Sequence, residues 1–306
     1  MENEKLLPNF LIAGMAKCGT SSLSSYLQQH PDVFISKRKE PRFLTSQCMR
    51  FPMNGPKDHL VESWYVKNYD NYLKLFADAR PDQAIGEASA DTLYFHQGTI
   101  PVIKQYLGDP KILIILRNPI NRAFSAYQHL VRDEREFISF EEGLEKEQER
   151  IDQNYELIYH YRKASMYYEP LKEFIQAFSQ VKVILSEDLQ KSPVSTHSEV
   201  FEFLGVDPAF EVENLMKLNV SGVPKNKFLQ RAFQDDNVIR NAVRPLVRAV
   251  APSVETRKKI FNWVTRKNLD RMSITPETRE RLKEDFKEDI ERTSKLIHRD
   301  LSRWLD

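Results

Sequence analysis

Over the first two thirds of the chain, short apolar runs rich in branched residues alternate with longer segments of helical period, the pattern of a parallel sheet joined by crossover helices. Five runs predict strands: Asn9–Met15 (NFLIAGM), Val33–Ser36, Gln83–Glu87 (QAIGE), Lys111–Leu116 (KILIIL) and Val181–Leu185 (VKVIL). Each is short and unbroken, as expected of strands covered on both faces. Between them the spacing predicts helices over Ser21–Gln29, over Asn121–Asp133 behind Pro119, and over Tyr168–Phe178 with Leu171, Phe174, Ile175 and Phe178 on one face. The fold class read from this alternation is α/β, a central parallel sheet flanked by helices.

After Gly205 the pattern changes: no further good strand is visible and the rest reads as helical. Thr275-Pro276-Glu277 opens a capped amphipathic helix with Leu282, Phe286, Ile290 and Ile297 on one face, expected to pack back on the sheet. The Pro/Gly-rich stretch Phe51–Pro56 reads as an excursion loop rather than a linker. The organisation expected is therefore one domain over residues 1–306, with 206–306 as its helical C-terminal extension.

Composition narrows the function. With 45 Lys+Arg against 44 Asp+Glu, the net charge of +1 gives no global field for nucleic acid, so an anionic ligand must be met by a local cluster. Residues 225–271 are such a local excess, with 12 Lys+Arg against 4 Asp+Glu, and read as a possible peripheral contact with an anionic membrane or acidic glycan. Two cysteines, Cys18 and Cys48, make neither a disulfide framework nor a zinc site. No apolar run reaches the roughly 18 residues of a membrane span, and the N-terminal stretch has no long apolar signal core. The expectation is a cytoplasmic protein in a reducing compartment, of undetermined oligomeric state.

Two places carry chemistry. Gly14-Met15-Ala16-Lys17-Cys18-Gly19-Thr20-Ser21-Ser22 lies between the first strand and the first helix, where free N–H groups and the helix dipole favour an anion. Gly14 and Gly19 have the spacing of a Walker A loop, but Thr20 stands where a nucleotide kinase needs lysine, and Lys17 sits inside the loop instead. Cys18 reads as a small loop residue rather than a nucleophile. The second place is Leu116-Arg117-Asn118-Pro119, where a hydrophobic strand ends in arginine instead of the magnesium-holding aspartate of an NTPase. Arg117 offers a planar fork for a phosphate, and Ser125, two turns into the next helix, a hydroxyl. Arg122 and His129 on that helix either join the same anion or are ordinary surface residues, the latter reading being favoured for His129.

Two anion sites of this kind resemble the signatures of sulfotransferases that use 3'-phosphoadenosine 5'-phosphosulfate. Lys17-Cys18-Gly19-Thr20-Ser21-Ser22-Leu23 looks like the family's 5'-phosphosulfate loop, and Leu116 to Tyr127 (LRNPINRAFSAY) looks like its 3'-phosphate element. His30-Pro31-Asp32-Val33 and Lys39-Glu40-Pro41-Arg42-Phe43-Leu44 are similar to the heparan sulfate and other carbohydrate sulfotransferases. The likeness extends through Gly86-Glu87-Ala88-Ser89 and Ser186-Glu187-Asp188-Leu189 to Gly205, and the tail Arg299–Leu305 looks like bacterial members.

The resemblance implies sulfuryl transfer from this donor, without a metal, to a hydroxyl (less readily an amine) of a carbohydrate, a lipid-linked or a small hydroxylated acceptor. Lys17, Cys18, Gly19, Thr20, Ser21, Ser22, Arg117 and Ser125 would bind the donor, with Lys225 and Lys227 where the family places a basic cofactor loop. Lys17 is the expected cation at the departing oxygen. Glu40 and Glu87 both stand at strand ends, from which either could reach the crevice and serve as base. The likeness favours Glu40, whose alternative is an ion pair with Arg38, Lys39 or Arg42, and leaves Glu87 to orient the site or bind substrate. Ala88, where relatives often carry lysine, and Arg42, where some carry histidine, put the acceptor in doubt. The competing readings are a small-molecule or nucleotide kinase and a non-catalytic nucleotide-binding module.

Overall fold

The computed structural model describes residues 6–213, 223–224, 269–270 and 272–306. Strands β1 (Phe10–Ile12), β2 (Val33–Ile35), β3 (Ala84–Ala88), β4 (Lys111–Leu116) and β5 (Val181–Leu185) form one parallel sheet in the order β2-β3-β1-β4-β5. All five expected strands are present, and β4 and β5 have the expected limits. β1 is shorter, because the chain beyond Ile12 leaves the ladder to form the loop, keeping one bond from Ala13 N–H to the Leu113 carbonyl (2.8 Å). β4 is covered on both faces, with Ile112 to Leu116 fully buried. β5 departs from the expectation: Val181, Lys182 and Val183 are only half-buried, because β5 is an edge strand.

Helix α1 (Thr20–Leu27) joins β1 to β2, and three short helices, α2 (Phe43–Ser46), α3 (Asp58–Glu62) and α4 (Tyr69–Leu73), fill the long excursion from β2 to β3. α5 (His96–Leu107) leads to β4, and α6 (Pro119–Arg132), α7 (Phe140–Glu145), α8 (Glu147–Asp152) and α9 (Tyr168–Ala177) lead to β5; α10 (Ser186–Lys191) and α11 (Pro193–Leu204) follow. α6 starts where Asn118 accepts the Asn121 N–H (3.0 Å) and Pro119 takes the first turn, where no intrahelical donor is needed.

The C-terminal helix runs over Pro276–Ile297, begun by Thr275, whose hydroxyl accepts the Thr278 N–H (3.2 Å). Leu282, Phe286 and Ile290 are buried as the spacing implies. They pack mainly on α6 and α9 rather than on the strands, because those helices already cover that part of the sheet. A two-stranded antiparallel pair, Val223–Pro224 with Leu269–Asp270, appears where no strand was expected. Lys225, Lys227 and the rest of the basic segment lie outside the described residues. Among the described residues no helix is long and apolar enough to cross a membrane.

Candidate functional site

The carboxyl ends of β1, β2, β3 and β4 open on a common crevice, the usual place for a ligand in a parallel α/β sheet. Past β1 the chain lies so close to β4 that a Cβ on Gly14 would fall 3.2 Å from the Ile115 nitrogen and 2.9 Å from the Thr20 side chain. Gly19, at φ 113°, then turns it into α1, and no side chain caps that helix, so its first-turn N–H groups and dipole suit an anion. Lys17 adopts a left-handed φ of 75°, a conformation that costs a non-glycine residue about 1–3 kcal/mol and is usually retained at functional sites. Burial first, then the positive charges of Arg132 and Arg117, push its ammonium down to about 8. Beneath it Cys18 is fully buried, with Sγ 3.8 Å from the Tyr167 hydroxyl, and burial pushes its thiol up to about 11. An inert loop residue, as read from the sequence, fits that setting.

The two expected anion sites are in direct contact. Arg117, at the end of β4, donates from Nη1 to the Lys17 carbonyl (3.0 Å), and its own carbonyl accepts the Tyr167 hydroxyl (2.9 Å). Ser125 lies buried on α6, two turns on. Arg122 corrects the surface reading: it is 0% exposed and donates to the Ala16 carbonyl (3.2 Å), the His160 and Tyr161 carbonyls (3.2 Å each) and the Ser165 hydroxyl (3.0 Å). It ties the loop to the connection between α8 and α9. His129 is also no lone surface residue. It is hydrogen-bonded to Arg132, lies 3.6 Å from Asp133, and is pushed down to about 2 by burial and by the nearby Lys17, so it stays neutral. Arg122, Ser125, His129 and Arg132 recur at helical spacing, the signal by which α6 could have been read as facing the loop with one side.

A cleft of about 370 Å³ opens between α1 and the segment after β2, lined among others by Thr20 and Ser21 of the loop and by Gln28, Lys39, Glu40 and Ala88. Glu40 is there, and so is the ion pair that was its alternative: Arg42 Nη2 reaches Glu40 Oε2 at 2.7 Å, while the Glu40 side chain stays 23% exposed. Glu87 is corrected. Side chains alternate along a strand, so Ala88 faces the cleft and Glu87 points away from it, 1% exposed, accepting from the Ser89 hydroxyl (3.3 Å). Burial and the neighbouring Asp91 raise its carboxyl to about 8, so it is protonated at neutral pH. Sequence reasoning missed Asp91, Glu156 and Tyr65, which gather around Arg42 from distant parts of the chain. Among the described residues no group of His, Cys, Asp or Glu is placed to hold a metal ion.

An α/β sheet with a lysine-bearing phosphate loop after β1, joined to an arginine at the end of β4, defines a class of proteins that handle phosphorylated ligands at this edge. Residues 8–211 match the Sulfotransferase family, and the chain belongs to it. Along 98% of its length it is similar to a crystal structure of a sulfotransferase from Alicyclobacillus acidocaldarius, with 36% identity, a TM-score of 0.78 and all of that chain covered. Rat carbohydrate sulfotransferase 15 is 26% identical over 69% of this chain and 46% of its own. A mouse bifunctional heparan sulfate N-deacetylase/N-sulfotransferase, number 4, is 28% identical over 67% of this chain and 23% of its own. The chain thus spans half or less of the length of these two curated relatives.

Proposed function

We propose that the protein transfers a sulfuryl group from 3'-phosphoadenosine 5'-phosphosulfate to a hydroxyl of a carbohydrate or other polyhydroxylated acceptor. The observation that carries this reading is the bond from Arg117 to the Lys17 carbonyl, which joins the two expected anion sites, beside a cleft that Thr20 and Ser21 of the loop share with Glu40. The donor set fits the ligand: uncapped N–H groups, a half-buried ammonium and a guanidinium suit phosphate-type anions, and Thr20 and Arg117 replace the lysine and aspartate that a kinase would need. The relatives named for carbohydrate and heparan sulfate substrates support the acceptor class.

Glu40 takes the proton of the acceptor hydroxyl as its oxygen bonds to sulfur. The bond from sulfur to the bridging oxygen breaks, and Lys17 meets the negative charge left on the 5'-phosphate of 3'-phosphoadenosine 5'-phosphate. Incubation with labelled donor and a panel of glycans, phenols and hydroxylated lipids, read by mass spectrometry, tests the reaction. Lys17→Ala and Glu40→Gln are each expected to lower turnover by about two orders of magnitude or more, with chelator having no effect. Wild-type turnover in either variant removes that residue from its role.

A further inference from the structure

Resting on that reading, we infer that Arg42 is a positioning residue for the reaction, holding the Glu40 carboxylate at the cleft through an inward-facing ion network. Arg42 is mostly buried, and each nitrogen of its guanidinium faces an acidic or hydroxyl oxygen: Nη2 on Glu40 Oε2 (2.7 Å), Nη1 on Glu156 Oε1 (3.2 Å) and on the Tyr65 hydroxyl (3.1 Å), and Nε 3.7 Å from Asp91 Oδ2. Asp91 and Glu156 are themselves buried, and Asp91 is fixed by the Thr45 hydroxyl (2.9 Å) and Glu156 by Arg135 (2.6 Å), which also pairs with the buried Asp58. A planar fork held at two of its three nitrogens has one left, and that nitrogen, Nη2, faces Glu40. Only one Glu40 oxygen is used; Oε1 has no protein partner among the described residues.

The backbone is built for the same end. Glu40 and Arg42 stand at φ 49° and 54°, both left-handed, so the chain folds sharply enough to bring a carboxylate and a guanidinium two residues apart onto each other. The Arg42 N–H donates to the Ser89 hydroxyl (3.0 Å), which fixes this turn to the end of β3. Strain retained at two residues of one pair, and a cation clamped from behind by acids that never reach the cleft, are what a site needs in order to hold a base to a fraction of an ångström. A mere surface salt bridge needs neither. The guanidinium's charge is shared among three carboxylates, so Glu40 is steered by Arg42 without monopolising it.

The test compares wild type with Arg42→Lys, Arg42→Ala and Glu40→Gln, using an acceptor turned over by the wild type, and reads kcat and KM, calorimetric affinity for 3'-phosphoadenosine 5'-phosphate, and rescue by added guanidinium. Arg42→Lys keeps a cation beside Asp91 and Glu156 and so guards against loss of the fold, but it lacks the fork. The expected result is a fall in kcat of about 10²-fold in Arg42→Ala and about tenfold in Arg42→Lys, with nucleotide affinity held within about twofold. Guanidinium is expected to restore about tenfold of the Arg42→Ala loss and nothing when Glu40→Gln is also present. Unchanged kcat in a nucleotide-binding Arg42→Lys, or rescue that persists without Glu40, overturns the inference. An active Glu40→Gln instead overturns the assignment of the base on which it rests.

Discussion

Lys17 is a cation held among cations. Its ammonium, pushed down to about 8 by burial and by Arg132 and Arg117, is already partly neutral just above physiological pH. An anion bound at the loop favours the charged form, so binding must draw a proton wherever free Lys17 is partly deprotonated. Calorimetric titration with 3'-phosphoadenosine 5'-phosphate at about pH 8.5, in buffers of different ionisation enthalpy, is expected to show uptake of a fraction of a proton. At about pH 6.5, where Lys17 is charged beforehand, the uptake should vanish, and in Lys17→Met it should be absent at both. His129 is pushed so low that it stays neutral in both states and does not contribute. Lysine inside a Gly-flanked turn was legible from the sequence because turn, strand and helix are local. The cations that tune it come from Arg117 and the far end of α6, and only the fold brings them there.

Among the elements, β3 shows how far pattern reading goes. Its existence follows from a short apolar run, and its limits, Ala84–Ala88 in place of Gln83–Glu87, differ by one residue; what matters for the site is the direction of its side chains. Which of Glu87 and Ala88 faces the cleft depends on the phase of the alternation, and composition gives no phase. The result is a buried carboxyl bonded to Ser89 and absent from the cleft lining. Its folded value of about 8 lies above the unfolded 4.5, so the native state binds more protons between these values. Its contribution to stability is therefore fully present below about pH 4.5, falls as pH rises toward 8, and stays level above. Glu87→Gln is expected to flatten that decline, leaving the melting temperature near pH 5 almost unchanged and raising it near pH 8; a parallel curve for variant and wild type would place the titration elsewhere. α6 was better served: Pro119 marks its first turn, and the structure begins the helix at Pro119, two residues before the expected start at Asn121. Arg122, which the sequence leaves open between the anion and the surface, goes to neither, and nothing near it in sequence announces the four carbonyl and hydroxyl oxygens that receive it.

At the scale of the whole molecule, the last residues complete the donor side. Trp304 is buried, packs edge-on to Tyr167 with ring centroids 6.1 Å apart, and its carbonyl accepts Asn118 Nδ2 (3.0 Å). Tyr167 in turn braces the Arg117 carbonyl. Trp304→Ala is expected to cost about 3–5 kcal/mol in urea unfolding and to weaken nucleotide binding together with stability. A loss below about 1 kcal/mol would mean that the tail is dispensable. The sheet order puts Lys17 and Arg117 after β1 and β4, and Glu40 and Ala88 after or at the end of β2 and β3, so in lineage terms the two groups can diverge at different speeds. The Arg42 network sets a limit on that freedom. A descendant that replaced Arg42 by histidine while keeping Asp91 and Glu156 would leave buried Asp91 without its guanidinium and Glu156 with Arg135 alone. Positions 42, 91 and 156 are therefore expected to be inherited as one block, and a recombinant that exchanges the loop after β2 alone would inherit a new cleft on a foundation that no longer fits it.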